Sequence, residues 1–242
     1  MNVEVKVRES LTIREIWDLY KQDLVQVEHR LRENFHGDSK GLKSGLPPFV
    51  GEITQHLFNG GGKRFRPLLV ILSCSLHGYA GDPRTLLAVV IEFIHTATLL
   101  HDDVVDNANL RRGNPSANTV WGNGSSVLVG DYLLSKAFSI AVKNGDLRVM
   151  KVLADTTTRM AEGEVAQLIK HSDTDITEDE YLNVITNKTA VLFSASCRIP
   201  AILSDASPEK EKAMSGYGME VGIAYQLTDD CLDYTSKNED LG

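Results

Sequence analysis

The chain has 242 residues, of which 42% are hydrophobic and 24% charged, and carries a formal net charge of −8 at pH 7. That is an ordinary composition for a globular protein with one large core. The acidic balance argues against nucleic acid or an anionic membrane as a general partner. Three widely spaced cysteines, Cys74, Cys197 and Cys231, form neither a disulfide frame nor a CxxC pair and read as reduced thiols. The first ten residues mix Glu with Lys and Arg and lack the apolar core of a secretory signal. No uninterrupted apolar run approaches the roughly 18 residues of a membrane span. The expectation is a soluble, cytoplasmic protein with no transmembrane segment.

Apolar residues recur at helical spacing from Ile13 to Leu31 and predict one amphipathic helix over 11–34. A polar break at 36–45 follows, and Pro47-Pro48 opens a helix to about residue 59. Gly60-Gly61-Gly62 ends it and leads into Lys63-Arg64-Phe65-Arg66-Pro67. Glycines free the backbone to turn N–H groups toward an anion, while Lys63 and Arg66 supply charge. Arginine also suits bidentate contact with phosphate. A basic loop capping the preceding helix would look similar. A further helix is predicted over 67–78. Asp82, as N-cap, and Pro83 then start a long helix to about 107, apolar on nearly every face and so central and buried.

That helix ends in Asp102-Asp103-Val104-Val105-Asp106, and Asp229-Asp230-Cys231-Leu232-Asp233 repeats the spacing. In a helix, aspartates at i and i+4 share a face, and like charges there repel. One such triplet could be a solvated helix end. Two in apolar context point to a hard cation, Mg²⁺ above all, which takes one or two carboxylates and completes its shell with water and substrate phosphates. His95 lies two turns before Asp102 on nearly the same face, which favours a ligand contact over a satisfied core position.

A turn-rich loop over 107–115 carries Arg111-Arg112, cations beside a metal site and so candidates for phosphate. Helices are predicted over 130–142 and 145–167, the second bearing Glu164 and Gln167 three apart. Thr177 and Glu180 form a capping box after a polar connection. Lys188-Thr189 falls within the next helix among apolar neighbours, where Lys188 either finds a partner or snorkels to solvent. Ser207-Pro208 begins the last helix, whose Gly216, Gly218 and Gly222 permit close packing, and Gln226 stands about one turn before Asp229. No alternating strand pattern occurs. The fold class is all-α, a single-domain bundle of long helices.

Six segments in this order resemble the trans-polyprenyl diphosphate synthases: Gly61–Pro67, His95–Asp106, Arg111-Arg112-Gly113, Gly163-Glu164-x-x-Gln167, Lys188-Thr189, and Gln226-x-x-Asp229-Asp230-x-x-Asp233-Tyr234. The resemblance covers nearly the whole chain. It implies helices around a central cavity with the two aspartate motifs facing across its mouth. It also implies condensation of isopentenyl diphosphate with an allylic prenyl diphosphate. Asp102, Asp106, Asp229 and Asp233, with Asp103 and Asp230 alongside, would hold Mg²⁺, three ions with substrate bound. Lys63, Arg66, His95 and Arg112 would bind isopentenyl diphosphate, and Arg111, Lys188, Thr189 and Gln226 the allylic diphosphate. Lys188 and the metal would neutralise the departing diphosphate.

In this family, residues four and five before the first aspartate shape the pocket for the growing tail. Thr98 and Ala97, both small, imply a medium- or long-chain all-trans product of the kind used for quinone side chains. Phe93, Leu133 or Phe138 could close the pocket deeper down. A homodimer is implied by the family alone. The chain ends at Gly242, so residues 1–242 are expected to be one polyprenyl synthetase domain lacking the family's C-terminal helices, with an apolar face of the last helix exposed. The alternatives are a short-chain geranylgeranyl- or farnesyl-type synthase, a non-catalytic subunit of a heteromeric synthase, and a class I terpene cyclase. The cyclase has no use for a second diphosphate site, and a non-catalytic subunit typically loses an acidic motif. A helical interaction domain with acidic ends leaves the basic loops unexplained.

Overall fold

A computed structural model describes residues 11–34, 47–79, 81–143, 146–170 and 175–235, and among these nearly all regular structure is helical. The predicted break at 36–45 lies outside them. The N-terminal segment is two helices rather than one, α1 (Ile13–Leu19) and α2 (Lys21–Glu33), parted at Tyr20. α3 (Pro48–Asn59) begins at the predicted proline. α4 (Phe65–Leu76) starts two residues earlier than expected, with Arg64 in the left-handed region at φ 45° as its N-cap. The second half of the basic motif is therefore helical, and this fixes the direction of Arg66.

α5 (Asp82–Val105) is the central helix. Its N-cap is Gly81, not Asp82, and Pro83 occupies the first turn as expected. Leu87, Val90, Ile91, Phe93, Ile94 and Leu100 are all buried. The helix stops two residues before the predicted end. Asn107, at φ 51°, takes the left-handed position, Ala108 N–H donates to the Asp103 carbonyl at 2.9 Å, and Asn107 N–H to that of Val104 at 3.3 Å. This is the paired bonding by which helices terminate. It leaves Asp102 and Asp103 inside the helix and Asp106 as its C-cap.

A two-residue ladder follows, β1 (Leu110–Arg111) antiparallel to β2 (Asn114–Pro115), which the strand pattern did not foretell. Arg112 and Gly113, with φ 52° and 73°, make the tight turn between them. α6 (Ala117–Trp121) and α7 (Asn123–Lys143) come next, α7 starting well before the predicted residue 130. α8 (Leu147–Lys170) precedes α9 (Glu178–Ile185), whose Thr177–Glu180 capping box is present. α9 passes through a π-helical segment (Thr186–Ala190) into α10 (Val191–Leu203), and α11 (Pro208–Thr235) carries the second triplet.

α5 packs against α4 and α7, while α10 lies among α4, α8 and α11. A Cβ on Gly222 would fall 2.6 Å from the Ala190 Cα, so α11 rests backbone to backbone on the π segment. Gly216 has no such neighbour. By length and composition α5 (from Pro83) and α7 are apolar enough to cross a membrane; α5 spends that character mostly inside the bundle and α7 only in part. On α11, Tyr217, Leu227 and Leu232 are exposed, as expected for its outer face.

Candidate active site

The first triplet splits into two roles. Asp103 is fully buried and accepts from Arg111 Nε at 2.9 Å, with a second, shorter contact from the same guanidinium. The β1–β2 turn directs Arg111 back onto the helix end. Asp102 is half-buried and Asp106 exposed. Desolvation pushes the Asp102 carboxyl up to about 7, with Glu164 and Asp106 adding to the rise and Lys188 and Arg111 opposing it.

The second triplet splits the same way. Asp230 accepts from Gln226 Nε2 at 2.8 Å on one oxygen and from the Tyr181 hydroxyl on the other. Gln226 is itself held by the Thr189 hydroxyl at 2.9 Å. Asp229 and Asp233 remain exposed. Burial, Asp233 and Asp230 raise the Asp229 carboxyl, while Lys63 and Arg66 counter this. The chain thus offers two outer pairs, Asp102 with Asp106 and Asp229 with Asp233. Among the described residues no three His, Cys, Asp or Glu side chains form a ready-made metal site. Paired hard oxygen donors without a closed cage suit a Mg²⁺ that completes its shell with phosphate and water.

Lys188 and Thr189 are adjacent in the π segment but serve opposite sides. Lys188 Nζ pairs with Glu164 at 2.7 Å and acts on Asp102, whereas Thr189 reaches Gln226 and the second triplet. α8 approaches closely here: a Cβ on Gly163 would lie 2.7 Å from the Lys188 backbone nitrogen. Such single-turn π insertions let neighbouring side chains leave a helix in directions an α-helix forbids.

The cations gather beside the second triplet. Arg66 Nη1 lies 3.2 Å from His95 Nε2, and its guanidinium sits 4.4 Å from the Phe193 ring centroid. Arg112 bonds the Gly61 carbonyl, tying the hairpin turn to the glycine run. Burial first, then the fields of Arg66, Arg112, Arg111 and Arg64, hold the His95 imidazole well below its usual range, so it is neutral at pH 7. Arg64 reaches this cluster only through its field; its guanidinium is buried in ion pairs with Glu28 and, at 2.6 Å, Glu92. Lys63 is exposed at the cluster's edge.

Beneath Asp102 lies a cavity of about 290 Å³, lined by Ile94, Ala97, Thr98, Leu134, Met160 and Val165 among others, with Glu164 and Lys188 also in its wall. Both Ala97 and Thr98 border it. Leu133 and Phe138 do not, and Phe93 stacks on Phe58 instead. α7 contributes Leu134, and α8 closes the far side. Sequence reasoning missed two participants: Glu164 as the Lys188 partner, although its motif was visible, and Tyr181, for which no sequence signal existed.

Residues 47–242 match the polyprenyl synthetase family. The chain is 41% identical over 232 residues to octaprenyl diphosphate synthase of Escherichia coli (strain K12), covering 96% of this chain and 69% of that one. It is similar to the crystal structure of a decaprenyl diphosphate synthase from Rhodobacter capsulatus, with 43% identity, a TM-score of 0.84 and coverage of 95% and 68%. It is also similar to a polyprenyl synthase from Caulobacter crescentus CB15, solved in complex with calcium and isoprenyl diphosphate, with 37% identity, a TM-score of 0.87 and coverage of 97% and 69%.

Proposed function

The chain belongs to the polyprenyl synthetase family, and on that premise we propose that it is a trans-prenyltransferase joining isopentenyl diphosphate to an allylic prenyl diphosphate, giving a medium- or long-chain product. The observation that carries this reading is the apolar cavity walled by Ala97 and Thr98 directly below Asp102. Charged groups at the mouth suit a diphosphate, and an apolar prenyl tail fits the lining below it. The names of the octaprenyl and decaprenyl relatives support the product class.

The outer aspartates of each triplet would hold Mg²⁺, and the Caulobacter relative, solved with a divalent cation and isoprenyl diphosphate, supports this. Bound Mg²⁺ supplies charge neutralisation on the departing allylic diphosphate. Lys188, released from Glu164 toward the anion, adds a positive charge at the same point. Arg66, Arg112, Lys63 and neutral His95 hold the isopentenyl diphosphate, His95 contributing a hydrogen bond without charge. Its double bond attacks the allylic carbon as the carbon–oxygen bond breaks, and the freed diphosphate accepts the proton lost from the new product. The low-polarity cavity keeps water from the cationic carbon.

Arg111 enters this scheme differently from its motif neighbour. Its guanidinium is committed to Asp103, so it acts chiefly by fixing the helix end. Assembly as a homodimer is part of the same reading and is supported by the apolar outer side of α7, where Leu128 is 63% exposed. The test is incubation with Mg²⁺, labelled isopentenyl diphosphate and farnesyl diphosphate, followed by mass spectrometry. A product ladder extending beyond C20 is expected. Products ending at C20 would move the short-chain reading to the front, and none, with both substrates bound, the non-catalytic subunit.

A further inference from the structure

The second triplet sets three carboxylates on little more than one turn of α11, where like charges repel. Asp230 alone among them has both oxygens engaged, Oδ1 by Gln226 Nε2 at 2.8 Å and Oδ2 by the Tyr181 hydroxyl. Tyr181 stands on α9, seven residues ahead of Lys188, and lines a cavity of about 320 Å³ with Gln167, Lys188, Thr189, Gln226 and Asp230. The arrangement is a chain of hydrogen bonds from Thr189 through Gln226 to Asp230, closed from the far side by Tyr181.

We propose that Tyr181 is a positioning residue for the second metal site: its hydroxyl turns Asp230 away from the ion and thereby presents Asp229 and Asp233 to it. This rests on the metal–diphosphate reading above. The physical reason is twofold. A hydrogen bond donated to a carboxylate both fixes its rotamer and draws off part of its charge, which lessens repulsion on Asp229 and Asp233. Groups that orient ligands in this way typically change metal affinity 10- to 100-fold when removed. Tyr181 also ties α9 to α11, so a merely structural tie is the competing account, and the measurement has to separate the two.

Tyr181→Phe removes only the hydroxyl. Mn²⁺ binding in the presence of inorganic diphosphate, followed by the electron paramagnetic resonance of free Mn²⁺, is expected to weaken about 10-fold. The thermal midpoint is expected to stay within a few degrees, and the half-saturating Mg²⁺ for turnover to rise by a similar factor. In an Asp230→Asn background the same substitution is expected to add little, because Tyr181 acts through Asp230. Unchanged Mn²⁺ affinity in Tyr181→Phe, or full additivity with Asp230→Asn, would overturn the proposal. Loss of Mn²⁺ binding only in step with lost stability would assign Tyr181 to structure. A wild-type protein that binds Mn²⁺ and diphosphate but makes no product would count against the prenyltransferase reading and leave Tyr181 readable. One that binds neither would overturn both.

Discussion

Arg111 Nε donates to Asp103 Oδ1 at 2.9 Å, across the turn that ends the central helix, and the aspartate it holds is fully buried while its other oxygen has no hydrogen-bond partner. We propose that a carboxylate so placed serves the helix end rather than an ion in the mouth. Asp103→Asn is expected to destabilise the protein by about 1–3 kcal/mol, because it leaves a charged partner unmatched at a desolvated site. Asp102→Asn, which relieves a carboxylate whose charge is opposed by burial, is expected to cost no stability. Urea denaturation of the two variants separates them. Equal stability of Asp103→Asn and wild type, with lost metal affinity, would return Asp103 to the ligands.

Turnover should show the reverse ranking. Asp102→Ala and Asp229→Ala each remove one member of an outer pair, and both are expected to abolish product formation with helix content by circular dichroism unchanged. Retained activity in either would sink the assignment of the outer pairs to Mg²⁺.

Much of this arrangement is visible in the sequence, because spacing alone determines which side chains share a helical face. The long apolar run from Leu86 to Leu100 could only be a central helix, and the two triplets announce themselves by repetition. What spacing does not carry is the division of labour within a triplet. That depends on Arg111 and Tyr181, which arrive from a hairpin and from another helix. Nor does it carry the end of α5, where Asn107 adopts a left-handed conformation usually given to glycine. The π segment is likewise hidden: Thr186–Ala190 reads as ordinary helix, yet it sends Lys188 and Thr189 to different triplets. The glycines of α11 were readable as packing sites, but which of them touch α10 or the π segment depends on the crossing point.

With the Asp102 carboxyl of the metal-free site raised to about 7, a proton competes with the metal for its oxygen lone pairs. Protonated carboxyls do not ligate Mg²⁺, so affinity should rise with pH through this range. Half-saturating Mg²⁺ is expected to fall several-fold between pH 6 and pH 8 and to level off above that. Asp102→Asn should flatten the dependence of Mn²⁺ binding over the same interval. A Mg²⁺ requirement independent of pH from 6 to 8 would contradict the burial-driven shift.

His95 titrates in the opposite sense. Its folded-state pKa lies well below 6.5, so as pH falls the unfolded chain takes up this proton first. Stability attributable to neutral His95 is therefore complete above about pH 6.5 and is lost progressively below it. Urea midpoints for the wild type are expected to drop from pH 7.5 to pH 5.5 more steeply than those of His95→Gln. Parallel slopes would show that the imidazole takes up its proton in the fold as readily as in the unfolded chain, despite the four arginines around it.

Ala97 is 1% exposed and borders the tail cavity one turn below Asp102, with Thr98 beside it. A phenyl ring at 97 would project into the space a growing chain must enter, while leaving the triplet and the cation cluster untouched. Ala97→Phe is expected to keep the condensation and shorten its product, at a stability cost of about 1–3 kcal/mol for the added bulk. Met160, across the cavity on α8 and 8% exposed, allows the converse. Met160→Ala deepens the far wall and should shift the distribution toward longer chains. Mass spectrometry of products from the two variants under identical substrate ratios reads both. If Ala97→Phe left the distribution unchanged, chain length would be set by a surface other than this cavity, and the small pair at 97 and 98 would be a packing requirement of α5 itself.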